Sequence, residues 1–94
     1  MTVDERLILL KADLEMLGSV KDAYLKHLLA VAEEEIAKEG IQLTQTVSDE
    51  NLRIMYAAYL YRKRAAEITT MPRMLRWALN NRLMKQKGAK ADAT

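Results

Sequence analysis

Residues 51–64 read NLRIMYAAYLYRKR, a run without glycine or proline whose helical projection is apolar nearly all round. At 100° per residue, Leu52, Met55, Tyr56, Tyr59 and Leu60 cover one side, while Ile54, Ala57, Ala58, Tyr61 and Ala65 cover the other. A helix of that kind is normally buried on every side. A chain of 94 residues removes only roughly 60 to 65% of its unfolded surface from water and can scarcely enclose one helix unaided. The expectation is therefore a subunit interface along this helix. The alternative is a central helix wrapped by the rest of the chain.

Working outward, three glycines, one proline and several capping residues divide the sequence into four helices. Thr2 followed by Glu5 is a capping box, and Gly18 supplies a left-handed stop, which predicts a first helix over roughly Val3 to Leu17. Ser19 is placed to cap a second helix over roughly Val20 to Glu39, closed by Gly40. Ile41 to Val47 (IQLTQTV) is β-branched and polar, an extended connection or short strand before a cap at Ser48 or Asp49. The third helix is expected over roughly Asp49 to Ile68. Thr69 and Thr70 break it, and Pro72 opens a fourth helix to roughly Gln86. Residues 88–94 (GAKADAT) lack apolar side chains and read as a flexible tail behind a single domain over 1–87. The fold class is all-α, a small four-helix domain with an extended loop between its second and third helices.

Helical spacing nominates the core. Leu7, Leu10, Leu14 and Leu17 form one stripe, and Val20, Tyr24, Leu28, Ala32 and Ile36 form another. Leu52, Tyr56 and Tyr59 join them from the third helix. In the fourth, Met71, Leu75, Ala78, Leu79 and Leu83 point inward, while Arg73, Trp77, Asn80 and Met84 make a second stripe about half a turn away. A tryptophan off the core stripe and beside arginine has the composition of an interface anchor; the other reading folds Trp77 back on the loop or the chain end.

The formal charge of +2 conceals a division. Residues 1–50 hold 5 Lys/Arg against 11 Asp/Glu, net −6, and residues 51–94 hold 10 against 2, net +8. Such poles suit a macromolecular partner, whether nucleic acid or the opposite pole of another copy. There is no cysteine, so disulfides and thiolate metal sites are excluded and a reducing cytosol suits the chain. The start, with Asp4 and Glu5, does not resemble a signal peptide, and no apolar run approaches a membrane span.

Catalytic chemistry finds little material. His27 is the only histidine and sits among Leu25, Leu28 and Leu29; Glu33, Glu34 and Glu35 are consecutive and point about 100° apart, so they do not converge on a metal. No phosphate-loop, dinucleotide, zinc-protease or zinc-finger spacing occurs. The expectation is a non-enzyme without catalytic, metal or cofactor residues. Arg62, Lys63, Arg64, Arg73, Arg76, Arg82, Lys85 and Lys87 form a basic region able to meet phosphates, and the third and fourth helices have a helix-turn-helix outline. A recognition helix presents polar side chains from its first turns, whereas this one opens with Met71, Met74 and Leu75. A small DNA-binding regulator using these two helices is the second reading, and an unassigned dimeric helical protein is the third.

Tyr56 to Arg64 (YAAYLYRKR), a short gap, then Met71 to Leu83 (MPRMLRWALNNRL) resembles the head-tail connector family of tailed bacteriophages and prophages, in which a tyrosine-rich helix ending in basic residues precedes a Met-Pro-Arg helix carrying Leu-Asn-Asn-Arg-Leu. The likeness extends over most of residues 19 to 86. It implies a structural adaptor made in the bacterial host cytoplasm and built into the virion as a homo-oligomeric ring. The ring would sit under the portal protein, joined to a downstream connector, stopper or tail protein, with genome DNA passing through it and no cofactor or membrane. Arg62, Arg64, Arg73, Arg76, Trp77, Asn80, Asn81, Arg82 and Met84 are the expected subunit or portal contacts. Paired asparagines inside a helix cost several tenths of a kcal/mol each relative to alanine, so each should bond something specific: loop backbone for one, a neighbouring subunit for the other.

Overall fold

The computed structural model describes residues 1–65 and 70–92, with backbone alone for 89–92. Among the described residues there are four helices and no strand: α1 Val3–Asp13, α2 Asp22–Lys38, α3 Val47–Arg64 and α4 Arg73–Asp92. None is long and apolar enough to cross a membrane.

The start of α1 is the expected capping box. The Glu5 amide donates to Thr2 Oγ1 at 3.1 Å, and the Thr2 amide donates to Glu5 Oε1 at 2.9 Å. Its end comes four residues before the expected Leu17, because Glu15 takes the left-handed conformation at φ +54°. The Glu15 amide then reaches Ala12 O at 3.2 Å and the Met16 amide reaches Lys11 O at 2.9 Å, the two bonds of a Schellman cap. Gly18 is also left-handed (φ +84°) but lies in the connection rather than at the stop. Leu17 and Val20, expected to face inward, are 96% and 98% exposed. Ser19 caps nothing with its side chain; its carbonyl accepts from the Asp22 amide at 3.2 Å, and Lys21 holds the N-cap position.

Gly40 (φ +88°) does close α2 as expected, its amide donating to Ala37 O at 3.0 Å. The connection that follows is irregular, and only Ile41 of it is buried. The cap of α3 is Thr46, whose Oγ1 accepts from the Asp49 amide at 3.2 Å, so the helix opens two residues before the expected Asp49. The expected end at Ile68 lies outside the described residues. Pro72 stands just before α4 and its carbonyl accepts from the Arg76 amide at 3.1 Å. The helix continues to Asp92, past the expected end at Gln86, so helical backbone takes in most of the segment read as a tail.

The core is organised around α3, which packs against α1, α2 and α4. It contributes Leu52, Ile54, Tyr56, Ala57, Ala58 and Tyr59; α2 adds Leu25, Leu28, Leu29, Ala32 and Ile36; α1 adds Leu7 and Leu10; α4 adds Leu75 and Leu79. Leu14 and Leu83 are partly buried against this cluster. The expected subunit interface along α3 is thereby corrected, since the chain encloses the helix by itself. Two features make that possible: side chains as small as Ala57 and Ala58 sit at its centre, and its first turns bury Asp49, Glu50 and Arg53 in paired form.

Candidate interaction surface

α4 presents two faces of opposite character. Leu75 and Leu79 are buried, whereas Met74, Trp77 and Met84 are 69%, 65% and 70% exposed on the opposite side, with Arg73, Asn80 and Lys87 exposed around them. Trp77 borders the 42–48 loop across a groove but stays largely exposed, and the second stripe read from the sequence is a surface.

The basic residues divide by what they touch. Arg82 lies within the fold: Nε donates to Asp49 Oδ1 at 2.8 Å, and Nη2 donates to Asp49 Oδ2 at 3.1 Å and to Gln42 O at 2.8 Å. Its assignment as an interface arginine is corrected, because a guanidinium forked onto a carboxylate 2% exposed is fastening its own chain. The Asp49 carboxyl is held far below the usual carboxylate range by Arg82, helped by the Thr44 amide and hydroxyl at 2.7 and 2.8 Å and opposed by burial. Gln86 completes the fastening, donating to Gly40 O at 2.8 Å and accepting from the Gln42 amide at 2.7 Å. The loop backbone that an asparagine was expected to bond is thus taken by Gln86 and Arg82. Asn80 instead accepts from Arg76 at 3.4 Å, and Asn81 is exposed. Arg76 forks onto Glu39 at 2.7 and 3.1 Å while remaining half exposed, which also ties it to its own chain. Arg62 lies 3.6 Å from the Asp13 carboxylate and donates to Asp13 O at 3.3 Å. Arg64 and Arg73 are exposed and pair with no described carboxylate.

A second network lies at the α1, α2 and α3 junction. Arg6 forks onto Glu50 at 2.7 and 2.9 Å, Arg53 donates to Glu50 at 2.8 Å and to Thr44 O at 2.6 Å, and Arg53 also bonds Glu33. The Arg6 hydrogen bonds pull the Glu50 carboxyl below its ordinary value. Sequence reasoning missed these residues: Glu33 stands out only as one of three consecutive acids, and nothing local singles out Arg6, Glu50 or Arg53. Nothing in a helical projection announces a partner forty-four positions away.

These pairs engage, within the chain, acids of the half that was expected to face the next subunit. Among the described residues, five ion pairs join the halves inside one chain: Glu33 and Glu50 with Arg53, Asp13 with Arg62, Glu39 with Arg76, and Asp49 with Arg82. What remains outside is mostly cationic, with Arg64, Arg73, Lys85 and Lys87 exposed on the end of α3 and on α4.

Two open grooves flank the start of α3. One, of about 880 Å³, runs between the 42–48 segment, α3 and α4, over Leu52, Met55 and Ala78 with Trp77 at its rim. The other, of about 670 Å³, lies towards α1 and includes Leu9, Val47 and Ile54. His27 is exposed on α2, and no group of three or more His, Asp or Glu among the described residues is placed to hold a metal. No family model matches the chain, and neither a curated protein nor a solved structure shows a significant likeness to it.

Proposed function

We propose that the protein is a structural, non-enzymatic adaptor of a tailed-phage head-tail connector, assembled as a ring beneath the portal protein, with the outer face of α4 as its docking surface. The motif resemblance of residues 56–64 and 71–83 supplies the connector reading. The observation that carries a docking role is the exposure of Met74, Trp77 and Met84 together, directly opposite the buried stripe of the same helix. Exposed apolar side chains clustered around a tryptophan and rimmed by arginine and lysine are the composition of an interface centre. Because most acids of the first half are paired internally, subunit contacts in the ring should rest more on this apolar face than on attraction between the two halves. An acidic complement on the portal or the downstream tail protein suits the residual positive charge, and DNA passing through the lumen needs no base-specific contact.

The test is coexpression with the portal protein encoded in the same genome, read by native mass spectrometry and electron microscopy. A closed ring on the portal is expected. A chain that never joins the portal would refute the proposal, and sequence-selective DNA binding with steep salt dependence would replace it with a helical regulator.

A further inference from the structure

The groove between α4 and the 42–48 segment holds side chains that neither the core nor the docking face employs. Asn51 of α3 and Asn81 of α4 line it from two elements, and both are exposed. Asn51 donates only to Met55 Sδ at 3.4 Å, and Asn81 has no partner among the described residues. Each costs several tenths of a kcal/mol in helix propensity relative to alanine, and among the described residues only the weak bond from Asn51 to Met55 Sδ sets anything against that cost. A side-chain amide offers one acceptor and two donors, which matches the paired N–H and C=O of an extended peptide.

The electrostatics select the peptide. Asp49 is the one carboxylate among the described residues lining the groove, and both its oxygens are held by Arg82 and Thr44. Lys85 is exposed on the same wall and pairs with no described carboxylate, so an entering segment meets net positive charge. We propose that this groove takes an extended acidic segment of a protein partner. Asn51 and Asn81 hold its backbone, an apolar side chain rests on Leu52 and Met55, and a carboxylate pairs with Lys85. This site adjoins the proposed docking face at Trp77, and its argument does not rest on the adaptor reading.

Trp77 is the only tryptophan and stands at the groove's rim, so its fluorescence reports occupancy. The probe is a random heptapeptide library selected on the immobilised full chain, followed by titration of the enriched peptides. Enrichment of sequences combining Asp or Glu with apolar residues is expected, with a shift of Trp77 emission on binding. Asn51→Ala with Asn81→Ala should weaken binding about tenfold, the loss of roughly two hydrogen bonds, and so should backbone N-methylation of the peptide. Lys85→Glu should weaken it several-fold, whereas Met84→Asp on the outer face should leave it unchanged; thermal midpoints confirm that each variant is folded. The proposal fails if nothing is enriched, if basic sequences are enriched, or if the folded double alanine variant binds as the parent does. It fails equally if the Trp77 shift follows protein concentration alone, which would make a second copy the occupant.

Discussion

Two residues carry local consequences that their types do not suggest. Glu15 occupies the left-handed position of a Schellman cap, where a side chain is strained and glycine is not. Glu15→Gly should therefore stabilise the fold by about 0.5 to 1 kcal/mol, the relieved strain exceeding the added freedom of the unfolded chain. A raised urea midpoint checks it. Asp49 is the second case, since its carboxyl is depressed from an ordinary value of 3.8. A group with a lowered folded value contributes stability that is present above the unfolded value and lost as pH falls through the folded one. Unfolding followed below pH 3.8 should show stability falling progressively, with Glu50 adding to the loss from its ordinary 4.5 downward. Asp49→Asn should cost about 2 to 3 kcal/mol at neutral pH and flatten that acid limb, because it leaves Arg82 without its charge partner.

At the scale of elements, the decisive fact is that α3 is central. Its apolar projection was legible, but periodicity cannot tell whether a helix buried all round is enclosed by its own chain or by a neighbour. Ala58, 1% exposed, separates the two. Ala58→Leu should destabilise the isolated chain by about 1 to 3 kcal/mol through overpacking, a drop of several degrees in thermal midpoint. A site on a subunit interface would leave the isolated chain nearly unaffected. The element most changed from expectation is α4. Its inner side combines a short apolar stripe, Leu75 and Leu79, with the polar fastening of Arg82 and Gln86, which leaves its other side free. Trp77→Ala should shift the stability of the isolated chain by less than about 0.5 kcal/mol, as at an ordinary surface site. Portal association should weaken at least about tenfold if the side chain is a hot spot. Calorimetry of the free chain beside a binding titration separates the two.

At the scale of the molecule, charges that oppose one another along the sequence are brought together in space. Arg76 and Glu39 test this at the surface, with side chains 45% and 28% exposed. A double-mutant cycle that replaces each by alanine should give a coupling of about 0.2 to 1 kcal/mol, shrinking as salt is raised. The reversed pair Arg76→Glu with Glu39→Arg should recover part of what either single reversal loses. No coupling at low salt would mean that the pair contributes nothing to holding α4 against the end of α2.

The sequence by itself determined the local features: four helices, the capping box at Thr2, the stop at Gly40, the inward leucines of α4 and the outward Trp77. These rest on interactions within three or four residues or on a helical period, which any stretch of chain displays without reference to the rest. It misplaced the end of α1, because a glutamate in the left-handed position gives no compositional signal, and so it turned Leu17 and Val20 inward. Only the tertiary structure decided which helix is enclosed, which arginines are committed within the chain, and that Gln86 rather than an asparagine meets the loop. Those outcomes depend on contacts between residues twenty to fifty positions apart. Coulomb and hydrogen-bonding energies act on distance in space, and a linear order of charges does not contain it.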